Sequence, residues 1–256
     1  MKKMRQGKKD IKSMVILIAA ILVFAYALVR LGIIFLEYGK GQQSYNRLEE
    51  FAGSTKVGTQ GAGSEGFSVD FEELKKINPD IAGWIRFENM DISYPIVQGK
   101  DNDYYLTHSF YKEELKCGSI FIEAENKADF SDDNTFVYGH NMKDKSMFAK
   151  LNEFKEEQIY RENPEFVIYT EDGIYQYSIF SCYVADVTWD SFTYQFGNGQ
   201  QYEKWLQTAK ERSLYDTGIT PKQEQKTVTL MTCTPAGDNY RFLVHGVLTK
   251  TTKKTK

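Results

Sequence analysis

Between Met14 and Leu36 the chain runs for 23 residues with one charge, Arg30. At about 1.5 Å per residue a helix of that length spans roughly 35 Å, enough for the hydrocarbon core of a bilayer, and the segment is expected to be a transmembrane helix. The flank before it carries Lys2, Lys3, Arg5, Lys8, Lys9 and Lys12. The bias of positive charge toward the cytoplasm then leaves residues 1–13 inside the cell and everything beyond Leu36 outside, a single-pass membrane protein with an external domain. A cleaved signal peptide is the rival reading, because Ala25-Tyr26-Ala27 imitates a small-residue cleavage site. Against it, the apolar pattern resumes from Leu31 to Leu36, and Arg30 lies near the outer end, where its head can snorkel to the interface.

Residues 37–66 are polar and punctuated by Gly53, Gly58, Gly61, Gly63 and Gly66, so they read as a linker that tethers a domain to the membrane. The chain has 17 tyrosines and 17 phenylalanines, most of them beyond this linker, and only 5 prolines, ample material for a packed core. Both ends are basic while the net charge is −3, so the body between them is acidic and poorly suited to nucleic acid. The folded domain is assigned to residues 67–250, followed by a solvated, disordered basic tail at 251–256.

Asp70-Phe71-Glu72-Glu73 has the form of a capping box, and Phe71, Leu74 and Ile77 share one helical face until Asn78-Pro79 ends the helix. Strand-like runs follow at Ile92–Val97, Ser119–Glu123 and Asn134–Tyr138, then a second capped helix from Ser146 through Phe154. Asp172-Gly173 joins Glu165–Thr170 to Ile174–Asp186 as a hairpin. Tyr202, Trp205, Leu206 and Ala209 place a helix at Gln200–Arg212, lying on the sheet. Two last strands, Thr227–Cys233 and Arg241–Leu248, close the chain. Short, mostly antiparallel strands with few helices point to a barrel or sandwich.

Three cysteines cannot all pair. Cys117 and Cys182 lie at or within strand patterns and read as small buried hydrophobes, with a disulfide between them left open. Cys233 ends its strand and is followed by a turn that returns the chain at Arg241. As hairpin partners the two would be neighbours, and a guanidinium there can stabilise a thiolate or an oxyanion. The alternative for Arg241 is an exposed strand cation with an acidic partner. Of the histidines, His245 stands about 13 Å along its strand from Arg241 and reads as structural. His108 lies in an aromatic stretch and reads as a surface or partly buried helix residue. His140 follows Thr135-Phe136-Val137-Tyr138 through Gly139, at a strand end where catalytic groups are displayed, and is the candidate acid or base. No Cys-x-x-Cys or His-x-x-x-His spacing suggests a metal, and no cofactor is expected.

These residues resemble the sortases, and within them class B. Thr229-Leu230-Met231-Thr232-Cys233 is similar to the family's TLxTC signature, Arg241 to its downstream arginine, and Tyr138-Gly139-His140-Asn141-Met142 to the class B segment around the catalytic histidine. Asn78 to Ile85, Tyr94-Pro95-Ile96-Val97-Gln98 and Asp101 to Leu106 match class B in the same order, so the resemblance covers about residues 68–249. Met231 stands where class B members often have serine, and any role of that serine is not carried over. No lid of the kind found in pilin-building class C is visible.

The resemblance implies an eight-stranded sortase-type β-barrel with short N-terminal helices and a helix in the long loop between barrel strands 6 and 7. It implies transpeptidation at the surface of a Gram-positive bacterium: Cys233 attacks the Thr carbonyl of an NPxTx-type sorting motif, His140 moves the protons, and Arg241 orients the motif and stabilises the oxyanion. The implied partners are surface proteins with a C-terminal sorting signal and an amine of the peptidoglycan cross-bridge or stem. Thr232, Asn141 and, in the Val187–Ile219 loop, Tyr194 with Phe192 and Trp189 are candidate substrate contacts. Two other readings use the same residues: a Cys-His peptidase that only hydrolyses, and an inactive anchored module that binds wall peptides.

Overall fold

The computed structural model describes residues 6–54 and 66–254. The chain divides into two compact units after Lys40. The first holds helix α1 (Gln6–Asn46) as far as Lys40, with exposed apolar side chains such as Ile16, Leu22, Phe24 and Phe35. Among the described residues it is the one helix long and apolar enough to cross a membrane, a candidate span where the sequence expects one.

The second unit starts at Gly41, inside the stretch expected to be a tether, and that expectation is corrected for residues 41–54. Tyr45 and Leu48 are buried, a 3-10 turn covers Arg47–Phe51, and β1 (Ala52–Ser54) pairs antiparallel with β2 (Phe67–Val69). Tyr45 Oη donates to Gly118 O at 2.5 Å, and its ring meets Tyr94 edge-on at 5.6 Å. Two apolar residues three apart cannot form a core of their own, but they are enough to dock a helical turn on one that exists. The rest of the expected tether, residues 55–65, lies outside the described residues.

Helix α2 (Phe71–Ile77) begins as its capping pattern requires: Asp70 Oδ1 accepts from Glu73 N at 3.1 Å. The barrel strands are β3 (Ile81–Arg86), β4 (Ser93–Val97), β5 (Ile120–Ile122), β6 (Asn134–Tyr138), β7 (Glu165–Tyr169), β8 (Gly173–Asp186), β9 (Thr227–Cys233) and β10 (Tyr240–Lys253). They close in the order β10-β8-β7-β3-β4-β5-β6-β9, with β9 returning to β10. All pairs are antiparallel except β4–β5 and β6–β9, so the sheet is mixed. Closure leaves no unpaired edge among these eight strands. Trp84, Phe121, Phe166 and Tyr177 are among the largest side chains of the buried core.

Helices α3 (Tyr104–Thr107), α4 (Glu157–Glu162) and α5 (Gly199–Glu211) lie in the connections. Helix α5 falls in the loop between the sixth and seventh barrel strands and presents Tyr202, Trp205, Leu206 and Ala209 to Phe180, Tyr183, Leu243 and Val247 of β8 and β10, a second apolar layer. Two expectations are corrected here. The helix expected from Ser146 is a 3-10 helix at Ala149–Lys155, because Lys145 and Met147 have φ of 64° and 56° and the Ser146 hydroxyl bonds Asp144 instead of capping. The tail expected to be disordered from 251 continues β10 through Lys253, with Thr251 opposite Tyr175 and Lys253 opposite Gly173, while Thr251, Lys253 and Lys254 are exposed to solvent as expected.

His245 is structural, as its spacing predicts. It is buried beside the rings of Phe180, Tyr183 and Trp205. The Thr229 hydroxyl donates to Asn134 Oδ1 at 2.8 Å, so it accepts from His245 Nδ1, 2.9 Å away. Burial, and secondarily the charge of Arg212, holds the imidazole neutral with its pKa pushed down to about 3. The unfolded chain binds a proton at this site near the ordinary histidine pKa, whereas the folded one does not. The stability this site supplies is therefore present above about pH 6.5 and is lost progressively as pH falls toward 3. Denaturant titrations between pH 7 and 4 should show stability falling by about 1.4 kcal/mol per pH unit from this proton, and His245→Phe should remove that part of the slope.

Candidate active site

Three adjacent strands bring the expected residues to one level of the barrel rim. β9 and β10 pair antiparallel with Cys233 directly opposite Arg241. β6 and β9 pair in parallel as far as Tyr138 opposite Met231, and Gly139 N donates to Met231 O at 3.0 Å. Two residues beyond that pair on each strand lie His140 and Cys233. Cys233 and Arg241 are therefore cross-strand neighbours, and His140 lies two residues past the end of β6, on the side of β9 away from Arg241.

Gly139 is required where it stands, because a Cβ there would lie 2.5 Å from Ile120 Cδ1 and 2.6 Å from the Phe148 ring. That close approach lets the chain turn out of β6 and present His140 half-buried at the rim. His140 Nε2 is 2.7 Å from Leu106 O in α3. A carbonyl oxygen only accepts, so Nε2 carries a hydrogen and donates it there, which leaves Nδ1 as the ring nitrogen not engaged by that bond.

The three cysteines are all free. Burial pushes the Cys117 thiol up to about 11 and the Cys182 thiol to about 12, which keeps both protonated and inert. Cys233 is exposed. Arg241 Nη1 donates to Asp238 O at 2.7 Å and Tyr240 O at 2.9 Å. Among the described residues it has no ion pair, so the alternative of a strand cation matched to a carboxylate is not what the fold provides.

A sortase domain model matches residues 85–249. Sortase B of Listeria monocytogenes is 35% identical over 183 residues, which cover 70% of this chain and 74% of that protein. The chain belongs to the sortase family. Among solved structures, sortase B of Clostridium perfringens superposes with a TM-score of 0.67 at 37% identity, over 71% of this chain and all of that one. Sortase B of Bacillus anthracis superposes with a TM-score of 0.73 at 30% identity, over 84% and 99%. These relatives place the chain in class B, whose members are cysteine transpeptidases acting on surface proteins and peptidoglycan amines.

The expected substrate contacts separate within this sortase. Thr232, opposite Phe242, is buried and its hydroxyl has no hydrogen-bond partner among the described residues. Asn141 bridges to Met147 across the loop that follows His140. Trp189 lies near the Arg241 end: its N–H donates to Asp186 O, and Asp186 pairs with Tyr240. Tyr194 and Phe192 instead pack on Phe136, four residues and about 13 Å along β6 from His140. The Tyr194 hydroxyl donates to Glu125 at 3.0 Å. Met231, in place of the serine common in class B, is half-buried against the layer under α5.

Three contacts to the site have no signal in the sequence. Leu106 acts through its backbone carbonyl, and Asn152 and Lys155 reach Cys233 O and Thr234 Oγ1 across about 80 residues of chain. Neither a carbonyl nor a lone polar residue in a 3-10 turn has a recognisable spacing.

Proposed function

We propose that the protein is a membrane-anchored sortase that cleaves an NPxTx-type motif of secreted proteins after Thr and joins the Thr carbonyl to a peptidoglycan amine. The observation that carries this reading is the pairing of Cys233 with Arg241 at the ends of β9 and β10, with His140 just past the end of the adjacent β6, in a chain of class B. The Cys233 thiol gives its proton to His140 Nδ1, the thiolate attacks the Thr carbonyl carbon, and the carbonyl oxygen becomes an oxyanion. Arg241, whose guanidinium otherwise rests on Asp238 O and Tyr240 O, turns to donate to it. Collapse breaks the peptide C–N bond, and the leaving amine takes a proton from His140 Nδ1. A thioester remains on Cys233. The incoming amine attacks that thioester and gives a proton back to Nδ1, and the thiolate leaves as the new amide forms.

Helix α1 is the anchor in this account, with its basic N-terminal flank in the cytoplasm and the barrel outside, where secreted substrate and wall precursor both emerge. The test is product analysis with a panel of NPxTx-type peptides, with and without triglycine or diaminopimelate. Ligated product formed at the expense of hydrolysis supports the transpeptidase. Hydrolysis unaffected by amine would make it a peptidase, and no turnover across the panel would make it a binding module.

A further inference from the structure

Past the last β6–β9 pair, Tyr138 opposite Met231, the strand ladder gives way to one further bond, Gly139 N to Met231 O. His140 and Cys233 lie beyond it, so strand pairing alone does not fix their separation. A single short segment holds both from the far side. Phe148 N donates to His140 O at 3.0 Å, and its ring is the one that closes on Gly139. The 3-10 helix Ala149–Lys155 starts at the next residue, and in its middle Asn152 Nδ2 donates to Cys233 O at 3.1 Å. Because that carbonyl can only accept, the amide nitrogen must be the end of Asn152 that faces it. At its end, Lys155 Nζ donates to Thr234 Oγ1 at 2.9 Å and lies 5.4 Å from the centre of the Phe242 ring. Phe154 and Leu151, both fully buried, fasten the segment to the core.

We propose that Asn152 is a positioning residue for transpeptidation: through the Phe148–Lys155 brace it sets the placement of Cys233 relative to His140, with Lys155 holding the turn that follows the nucleophile. The proposal rests on the transpeptidase reading above. Asn152 bonds the backbone carbonyls of Cys233 and Ala149 and not Sγ, so it acts on the nucleophile through that residue's own backbone. A displacement of the nucleophile by a fraction of an ångström to 1 Å is felt in the chemical step far more than in peptide binding.

The test is Asn152→Asp in the full-length protein, which keeps the shape but points a carboxylate oxygen at the Cys233 carbonyl. The expected result, assayed well below the unfolding midpoint, is a kcat lower by about tenfold to a hundredfold with KM within about twofold, a loss that persists at temperatures where the variant is fully folded. Asn152→Gln, which keeps the amide donor, should recover part of that loss, and Asn152→Ala is the second variant should the aspartate not fold. Amide hydrogen exchange is the readout independent of turnover: in Asn152→Asp it should rise in the 234–239 turn and not in β3, β7 or β8. Wild-type kcat with unchanged exchange overturns the proposal, as does a loss confined to KM or one that disappears at temperatures where the variant is fully folded. If wild-type protein itself shows no turnover, the transpeptidase reading fails, and the exchange result decides whether the brace exists.

Discussion

Cys233→Ala is expected to abolish transpeptidation, by about 10⁴-fold or more, while leaving the unfolding free energy within about 0.5 kcal/mol of wild type. Both halves follow from position. The side chain is exposed at the end of β9, so its removal empties no cavity. The substitution also leaves no nucleophile to replace it, since Cys117 and Cys182 are buried as protonated thiols. Turnover measured by product mass, together with a denaturant titration of the same sample, checks the pair of outcomes. Substantial activity in the alanine variant would place the chemistry elsewhere.

His140→Gln should lower kcat by about 10² to 10⁴-fold. A glutamine amide can still donate to Leu106 O, so the loop keeps its anchor, but it cannot take or give a proton at the position of Nδ1. The loss should fall on both halves of the reaction, formation of the thioester and its aminolysis, because one nitrogen serves both. Single-turnover mass spectrometry separates the two steps. A defect in acylation alone, with normal resolution by amine, would show that a different group deprotonates the acceptor.

Much of this site is legible in the amino-acid sequence. Asn134–Tyr138 and Thr227–Cys233 have the bounds that their apolar, β-branched runs indicate, because a strand buried in a barrel wall leaves an unbroken signal. That Cys233 and Arg241 are neighbours follows from the turn between them. The features that the sequence hides have physical causes. β3 (Ile81–Arg86) lacks a strand signal, since Gly83 interrupts its run; there a Cβ would meet Tyr169 O at 2.9 Å. Tyr45 and Leu48 are two apolar residues in a polar stretch, and their burial depends on partners such as Tyr94 and Gly118, far along the chain. Met147 adopts a left-handed backbone without being glycine, so the apolar spacing after Ser146 imitates an α-helix that the backbone does not form. Asn152 makes its contact with a carbonyl 81 residues distant, which no local pattern encodes.

The most direct test of the whole account is to trap the covalent intermediate. Full-length protein in detergent is mixed with an NPxTx-type peptide without amine, quenched in acid, digested and mapped by mass spectrometry. The account predicts the peptide's N-terminal portion, ending in Thr, attached as a thioester to the fragment that contains Cys233. Adding triglycine or diaminopimelate before the quench should remove that adduct and yield ligated peptide. An adduct on Cys117 or Cys182, or cleaved peptide with no covalent intermediate at any time point, would contradict it.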